Sequence, residues 1–352
     1  MEAVLVREQT RRAGGNRAAG AGHPVASNWG TVPGRSDNQG PGVGESPVRV
    51  SALEHPMVLA ALSRMASTGA WQHIVDGKPL SEDIDLVEAE LLVAAGAIRP
   101  VTDDTFQVAV DDPMYTNPQA LADWSQYQLR RAFQHATGQS TAWGSEDPET
   151  ILSFGRASGR GADVIADLLL PQLPMVAPAF AAGRAFFLDV GVGVAAISIR
   201  LLERYPGTRA VGLDVLPDVL KLAEAEVARG ALSASIELRM QSVAELRDQD
   251  QYDLAWFPQP FVPRPAFLAG VHNVFRALKP GGAMVLPVAI PAVASEFARA
   301  RAVHSAFLAG GSAITISELA EILQAAGLVD LVEHPFHTQR LLTATKPPLA
   351  KR

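Results

Sequence analysis

The sequence contains no cysteine, and this absence removes several classes of site at once. Disulfide bonds, thiolate metal sites, iron–sulfur clusters and a cysteine nucleophile are all excluded, and a reducing cytoplasm is the simplest location. Long apolar runs are lacking as well. The chain is 48% hydrophobic, but Pro, Arg, Asp or Gly interrupts each run well before the roughly 18 residues that a membrane span needs. We therefore expect a soluble, cytoplasmic protein with no membrane partner.

Basic residues are in the minority, since 30 Lys and Arg oppose 37 Asp and Glu and the formal net charge is −7. A chain that follows nucleic-acid phosphates usually carries a basic stripe, so no nucleic-acid partner is expected. The eight histidines form no HxH or HExxH cluster, and no metal site is predicted.

The N-terminal third divides into two parts by composition and periodicity. Residues 1–48 are rich in Gly, Arg and small polar residues, and they are predicted to be disordered because they bury too little apolar surface. Residues 49–112 show two amphipathic helices, the second with an N-terminal cap at Ser81, followed by two short strands, which is the outline of a winged helix. Within residues 51–140, 12 acidic residues oppose 5 basic ones, which favours dimerisation or a lid over DNA binding.

The remainder of the chain changes from helices to alternating strands and helices. Residues 113–180 are predicted to be connecting helices, with an aromatic cluster that includes Tyr127 and Trp143 and serves mainly as core. Residues 181–352 alternate apolar strands with amphipathic helices and end in two closing strands. Continuous apolar strands between helices predict an α/β fold in which a parallel sheet is covered on both faces.

The stretch FFLDVGVGVAAISI at 186–199 raises the question of a nucleotide-like ligand. Residues 191–196 fit the relaxed G-x-G-x-x-G/A fingerprint, and Asp214 ends the second strand at the distance from which a carboxylate holds ribose hydroxyls. On this motif alone an NAD enzyme is allowed. Asp189, two residues before Gly191, favours a ligand that carries an ammonium group, because a carboxylate repels a pyrophosphate.

Two further features are the turn ALKPGG at 277–282, which leads into a fifth strand, and the strand pair that closes the chain. With them, residues 184–346 resemble a class I S-adenosylmethionine-dependent methyltransferase. The whole chain is similar to the two-domain small-molecule O-methyltransferases that have an N-terminal winged-helix dimerisation domain. The resemblance implies a Rossmann-like seven-stranded sheet, S-adenosylmethionine as cofactor, and a homodimer that methylates a small, largely apolar or aromatic acceptor, more readily at oxygen than at nitrogen.

The resemblance also implies roles for individual residues: Asp189 at the cofactor's amino group, Asp214 at its ribose and Val215 at its adenine. Many relatives place an aspartate after the third strand, where this chain has Gln241 and Ser242. The positions expected to contact the cofactor are Asp189, Gly191, Gly193, Asp214, Val215, Ser242, Val243, Phe257 and Pro258. Those expected to contact the acceptor are Trp256, Gln259, Phe261, Trp143 and Tyr127.

The general base of these relatives, a histidine after the fourth strand, has no counterpart in FPQPFVPRPAF at 257–267. Alignment and desolvation supply much of the rate of methyl transfer, so a base is optional for an amine, an acidic phenol or a carboxylate. His304 and His135 are the leading candidate bases, and His272 is a weaker one.

Two alternatives remain open at this point. GVGVAA and Asp214 also suit an NAD-dependent oxidoreductase. The missing base and Ser242 also suit a non-catalytic binding module with a methyltransferase fold.

Overall fold

The computed structural model describes most of the chain beyond its N-terminal segment. The described residues are 52–111, 113–138, 147–290, 296–336 and 339–349. The predictions for residues 1–48 and for Trp143 lie outside them. None of the helices in this part of the chain is both long and apolar enough to cross a membrane.

The N-terminal region packs helices and a small antiparallel sheet around a core of its own, in which Leu62, Met65 and Trp71 are fully buried. Its elements are α1 (Pro56–Thr68), α2 (Ala70–Val75), α3 (Asp83–Ala94), β1 (Ile98–Pro100), β2 (Phe106–Val108) and α4 (Pro118–Ala136). The two predicted helices and the strand pair are present.

Two details of this region differ from the sequence predictions. The short helix α2 was not predicted, because the two glycines that bound it, Gly69 and Gly77, indicate a turn; both have positive φ, and burial of Trp71 stabilises the helix between them. The N-cap of α3 is Glu82, without a side-chain hydrogen bond, so the predicted cap at Ser81 is wrong. The acidic first turn still lies at the positive end of the helix dipole.

A run of short helices then leads to the large sheet. It comprises α5 (Pro148–Ser158), α6 (Gly161–Asp163), a π-helical turn (Val164–Leu169), a 3-10 turn (Leu170–Gln172) and α7 (Ala177–Ala181). Asp147 begins α5, because its Oδ1 accepts a hydrogen bond from the Thr150 N–H at 3.0 Å.

The seven-stranded sheet has the strand order β5-β4-β3-β6-β7-β9-β8. Its strands are β3 (Phe186–Val190), β4 (Arg209–Asp214), β5 (Ile236–Met240), β6 (Tyr252–Trp256), β7 (Leu278–Val288), β8 (Val329–Phe336) and β9 (Gln339–Thr345). The first five are parallel, and β9 runs antiparallel to both neighbours. The predicted α/β class and seven strands are confirmed.

Helices α8 (Ala196–Arg204) and α9 (Pro217–Arg229) cover one face of this sheet, and α10 (Arg264–Ala277) and α12 (Ile316–Ala325) cover the other. Helix α11 (Glu296–Leu308) contacts α4. One face buries Phe257 and Phe267, and the other buries Phe187 and Leu254. The chain passes from β3 to β4 on one side of β3, whereas β6 is the neighbour of β3 on the other side. This reversal of strand order puts the expected ligand site beside the carboxyl end of β3.

The KPGG segment is part of β7 and not the turn that the sequence predicts. Leu278 pairs with Tyr252, and the register shifts before Ala283 pairs with Leu254. A Cβ at Gly282 would lie 3.0 Å from the Tyr252 carbonyl oxygen. Glycine therefore lets the segment lie flat against β6 and continue the strand directly after α10.

Candidate functional site

The loop after β3 crosses the carboxyl end of β4. The Val192 N–H donates to the Leu213 carbonyl oxygen at 2.9 Å. Gly212 makes room for this crossing, because a Cβ there would lie 2.5 Å from Cγ2 of Val192. The two strand ends that carry the predicted carboxylates are thereby tied together.

The same loop needs left-handed backbone at three alternate positions. Gly191 has a φ of 66°, Gly193 of 56° and Ala195 of 63°. Glycine adopts this conformation without cost, whereas alanine at the third position is strained. Apart from Gly193 itself and its two chain neighbours, no atom of the described residues lies within 4 Å of the Cβ position of Gly193. The loop therefore presents open space beside its backbone at Gly193.

Asp214 is fixed by three backbone donors. Its Oδ2 accepts from the Gly193 N–H at 3.0 Å, and its Oδ1 accepts from the N–H groups of Val215 at 2.8 Å and Leu216 at 3.1 Å. The side chain is buried, and burial raises the pKa of this carboxyl. Two of the predicted cofactor positions, Gly193 and Asp214, are thus in direct contact.

Asp189 is the second buried carboxyl at this edge. Its Oδ2 accepts a hydrogen bond from the Ser198 hydroxyl at 2.7 Å, and both side chains are buried. Burial, with a smaller contribution from the negative charge of Asp214, raises the pKa of Asp189 to about 7. Sequence reasoning missed Ser198. The available signal was its position as the one polar residue on the inner face of α8.

Exposed apolar side chains lie on the β4–β5 side of the two carboxyls. Val215 is 60% exposed and Met240, which pairs in register with Asp214, is 70% exposed. Met240 was not among the predicted contacts. Ser242 caps a short 3-10 helix through the Ala244 N–H, and the side chain of Val243 is buried in the core. Cofactor contacts of Ser242 and Val243 stay predictions.

The residues at the end of β6 divide between the two cores and the loop. Trp256 is 9% exposed and lies beside Gly161, while Phe257 is fully buried with its ring centroid 4.9 Å from that of Phe267. A central parallel strand is covered on both faces, which explains why both aromatic side chains belong to the core. Contacts of either side chain with a ligand stay predictions. Pro258 faces Gly191: its Cγ lies 3.7 Å from the Cβ position of that glycine.

Gln259 is fully buried and links this strand end to the loop after α11. Its Nε2 donates to the carbonyl oxygen of Ser312, whose hydroxyl donates to the Val262 carbonyl oxygen at 3.1 Å. The two segments pack closely, because a Cβ at Gly311 would lie 2.0 Å from the Pro260 carbonyl oxygen. The Oε1 atom of Gln259 is buried and has no hydrogen-bond partner in the described part of the chain.

Three aromatic rings form a row beside this strand end. The ring centroids of Tyr127 and Phe154 are 4.6 Å apart, and those of Phe154 and Phe261 are 5.8 Å apart. Phe261 is 40% exposed, so the row ends at an accessible ring. Two of the predicted acceptor positions, Tyr127 and Phe261, are therefore connected through Phe154, which the sequence did not single out.

The two candidate bases lie next to each other on the outer surface. His135 of α4 and His304 of α11 have ring centroids 5.0 Å apart, with the ring planes at 76°. Both are exposed. The helices are also joined by Arg131, whose guanidinium donates to the Leu308 carbonyl oxygen at 3.3 Å. The structure brings the two histidines together, and a catalytic role for either stays a prediction.

We call the segment 191–195 after β3 the glycine loop. A cavity of about 290 Å³ lies behind it, on the outer face of α8. Ala196 and Arg200 line it, together with an ion pair between Asp123 and Arg156 (Oδ2 to Nε 3.4 Å). Neither Asp189 nor Asp214 is part of its wall. We therefore assign the chemistry to the strand ends and not to this cavity. No group of three or more potential metal ligands occurs among the described residues.

Comparison with a family model bears on the sequence alternatives. Residues 187–282 match the model described as a methyltransferase domain. The chain contains a methyltransferase domain. A search of curated proteins returned no match.

Solved structures of methyltransferases share the fold over most of the chain. An O-methyltransferase family protein from Burkholderia thailandensis is 14% identical, with 83% of this chain and 95% of that chain covered and a TM-score of 0.53. Human N-acetylserotonin methyltransferase is 13% identical, with 87% and 100% covered and a TM-score of 0.54. The pyocyanin biosynthetic protein PhzM is 17% identical, with 82% and 94% covered and a TM-score of 0.57. At these identities the likeness establishes a class I methyltransferase fold with an N-terminal helical region.

The methyltransferase domain defined by the family match contains both buried carboxyls, the glycine loop and the end of β6. Tyr127 and His135 precede it, and His304 and Ser312 follow it. The predicted cofactor positions therefore lie within the domain, whereas Tyr127, a predicted acceptor position, and both candidate bases lie outside it.

Proposed function

We propose that this protein transfers a methyl group from S-adenosylmethionine to an oxygen atom of a small, largely apolar or aromatic acceptor. The observation that carries the proposal is the pair of buried carboxyls, Asp189 and Asp214, at the ends of adjacent parallel strands, joined by the Gly191–Gly193 loop. This arrangement suits a ligand that carries an ammonium group and a ribose diol together. The methyltransferase domain match supports the same reaction class and gives no support to the NAD alternative.

The chain offers a suitable group for each part of the cofactor. Asp189 receives the ammonium group, Asp214 accepts from the ribose hydroxyls, and the open space beside Gly193 lets the backbone approach the methionine portion. The exposed side chains of Val215 and Met240 provide apolar surface for the adenine. When bound, the cofactor supplies a methyl group on a sulfonium, which is an electrophile that needs no metal.

The acceptor is held by the end of β6 and by the aromatic row that ends at Phe261. The acceptor oxygen forms a bond to the methyl carbon as the carbon–sulfur bond breaks, and the electron pair of that bond stays on sulfur. The acceptor's proton passes to a base or to water. No titratable side chain lies between Pro258 and Phe261, so this segment contributes to the step by aligning the acceptor and excluding water. His304 and His135 remain the proposed bases.

We also propose a cytoplasmic homodimer formed through the region at 49–112. Met57 on α1 and Ile84 and Val87 on α3 are each about half exposed or more, which supports a protein contact on this region. Its acidic balance supports a protein partner in preference to nucleic acid. Size-exclusion chromatography with light scattering distinguishes a dimer from a monomer.

Titration with S-adenosylhomocysteine tests the cofactor assignment. Isothermal titration of the full chain is expected to give micromolar or tighter binding that weakens by about 1–3 kcal/mol in Asp214→Ala, as for the loss of charge-assisted hydrogen bonds. Asp218→Ala is the matched control, because Asp218 lies in the first turn of α9 and pairs with Lys221 at the surface. It should bind as the unchanged protein does.

Two results would count against the proposal. Absence of heat and of any thermal shift at millimolar ligand refutes it, and binding of NADH would then identify the oxidoreductase. Tight binding of S-adenosylhomocysteine without methyl transfer to any member of a phenol, catechol and aromatic-acid panel identifies a non-catalytic module.

A further inference from the structure

Ser198 has no assigned role, yet it makes the one side-chain hydrogen bond that Asp189 receives in the described structure. The Ser198 hydroxyl is fully buried and donates to Oδ2 of Asp189 at 2.7 Å. Ser198 lies on the inner face of α8, the helix that follows directly from the glycine loop. The position of this hydroxyl is therefore fixed by the packing of α8 against the sheet, together with the loop that the cofactor contacts.

We propose that Ser198 is a positioning residue that favours the carboxylate form of Asp189 and directs its second oxygen to the cofactor's ammonium group, and that cofactor binding releases a proton from Asp189. This inference rests on the proposed function, since it concerns the same cofactor. It adds a residue outside the glycine motif and a proton that is not part of the methyl-transfer step.

The surroundings of Asp189 explain why a proton is there to be released. The side chain is 2% exposed, and on the neighbouring strand the carboxylate of Asp214 acts on it. On its other side β6 presents Trp256, which carries no charge. Burial and a like charge both favour the neutral acid, and they outweigh the Ser198 hydrogen bond, so the pKa is raised to about 7.

A cationic ligand reverses this balance. An ammonium group beside Asp189 favours the carboxylate. Asp189 is therefore ionised in the complex but only partly ionised in the free protein. By linkage, the affinity for an ammonium-bearing ligand rises with pH until Asp189 is fully ionised in the free protein, and is constant above that. With a midpoint near pH 7, the affinity for S-adenosylhomocysteine should rise about tenfold between pH 6 and pH 8.

The variant Ser198→Ala separates positioning from a merely structural role. Loss of the hydroxyl removes the larger of two Ser198 hydrogen bonds that favour the carboxylate and leaves the smaller one from the main chain. The midpoint of the affinity rise should therefore move up by about one pH unit. Binding should then be about fivefold weaker at pH 7 and within about twofold of the unchanged protein at pH 8.5. A structural defect alone would weaken binding by the same factor at every pH. Ser198→Thr keeps a hydroxyl and should have the same midpoint as the unchanged protein.

Ser125→Ala is the matched control. Ser125 is also a fully buried helical serine, but its hydroxyl donates to the Leu121 carbonyl oxygen in α4. This variant loses a buried hydroxyl of the same kind and should leave the midpoint unchanged.

The experiment is isothermal titration of the full chain with S-adenosylhomocysteine from pH 6 to pH 8.5, in buffers of different ionisation enthalpy. At pH 7 the unchanged protein should release about half a proton, Ser198→Ala more, and Asp189→Asn none from this site. Affinity and proton release that are independent of pH would overturn the inference and leave the proposed function in place. Absence of binding at every pH would overturn both. The number of protons that the unchanged protein releases on binding tests the release from Asp189 even when a variant does not fold.

Discussion

The side-chain amide of Gln259, at the end of β6, donates to the main-chain carbonyl of Ser312, in the loop after α11. The side-chain NH₂ group cannot donate to solvent instead, because Gln259 is fully buried. Its orientation follows from the partner: a carbonyl only accepts, so the NH₂ group must face it and the Oε1 atom must face away. This hydrogen bond and the one from the Ser312 hydroxyl to Val262 therefore connect the methyltransferase domain to the segment after α11. The Oε1 atom of Gln259 is left as a buried acceptor without a partner among the described residues.

Replacing Gln259 should reveal this connection. Gln259→Met keeps the volume but removes the donor to Ser312, and we expect it to lower the free energy of unfolding by about 1–2 kcal/mol. Gln259→Glu should lower the free energy of unfolding by more at high pH than at low pH. Only the protonated acid donates to the carbonyl, and a buried carboxylate is unfavourable. Urea denaturation at pH 5 and pH 8 measures both effects. Gln251→Ala, an exposed glutamine, serves as control; equal stability of all variants would contradict the assignment.

The close approach of α5 to the glycine loop predicts a clash and its rescue. A Cβ at Gly155 would lie 1.9 Å from Cγ2 of Val194, which is far inside van der Waals contact. Gly155→Ala should therefore displace the loop, lower the free energy of unfolding by about 1–3 kcal/mol and weaken binding of S-adenosylhomocysteine.

Val194→Ala removes the clashing methyl groups and is the matched partner. The double variant should recover much of the loss caused by Gly155→Ala, since the two substitutions act on one contact. Effects that simply add in thermal unfolding and titration would show that α5 does not support the loop.

Asp189 should make the protein less stable as pH rises. Its pKa is near 7 in the folded chain and 3.8 without burial, so between these values the folded state binds more protons than the unfolded state. The contribution of Asp189 to the free energy of unfolding therefore falls as pH rises from about 4 to 7, and it is constant above pH 7. Asp189→Asn should remove this part of the slope. Denaturation at pH 5 and pH 8 gives the comparison, and identical slopes for the two proteins would refute the prediction.

The aromatic row should show energetic coupling. Phe154 contacts Tyr127 on one side and Phe261 on the other. In a double-mutant cycle, Phe154→Leu and Phe261→Leu should give a coupling energy of about 0.5–1.5 kcal/mol, as for edge-to-face ring pairs. The solvent-exposed Phe133, at 65% exposure, provides a control cycle with Phe154 and should give none. Denaturation midpoints measure each corner of the cycles.

The sheet could be predicted because its central parallel strands, β3, β4 and β6, are buried on both faces and read as largely apolar runs. Strand β6, for example, is fully buried along its length, and YDLAWFP indicates this without further information. The KPGG segment could not be placed, because its glycines indicate a turn locally and only the approach of β6 shows why they permit a strand.

The buried carboxyl of Asp189 and the left-handed turn at Gly191 could be predicted because one short motif carries both. It was not predictable where residues distant in sequence meet. Ser198, Phe154 and Ser312 act through contacts with Asp189, Phe261 and Gln259 respectively, and nothing in a sequence gives those distances. The burial of Trp256 could not be predicted from residue type either, because it follows from the position of this residue on a central strand; its contact with an acceptor stays a prediction.

The three donors to Asp214 limit how the site can accept a diol. A carboxylate offers about four acceptor sites, and the N–H groups of Gly193, Val215 and Leu216 already use three of them. A ribose needs two. The bonds from Val215 and Leu216 are fixed by the start of α9, whereas Gly193 lies in a loop. A ribose bound as proposed would therefore compete with Gly193 for the same oxygen, and the glycine loop would give up this hydrogen bond on each binding event and recover it on each release.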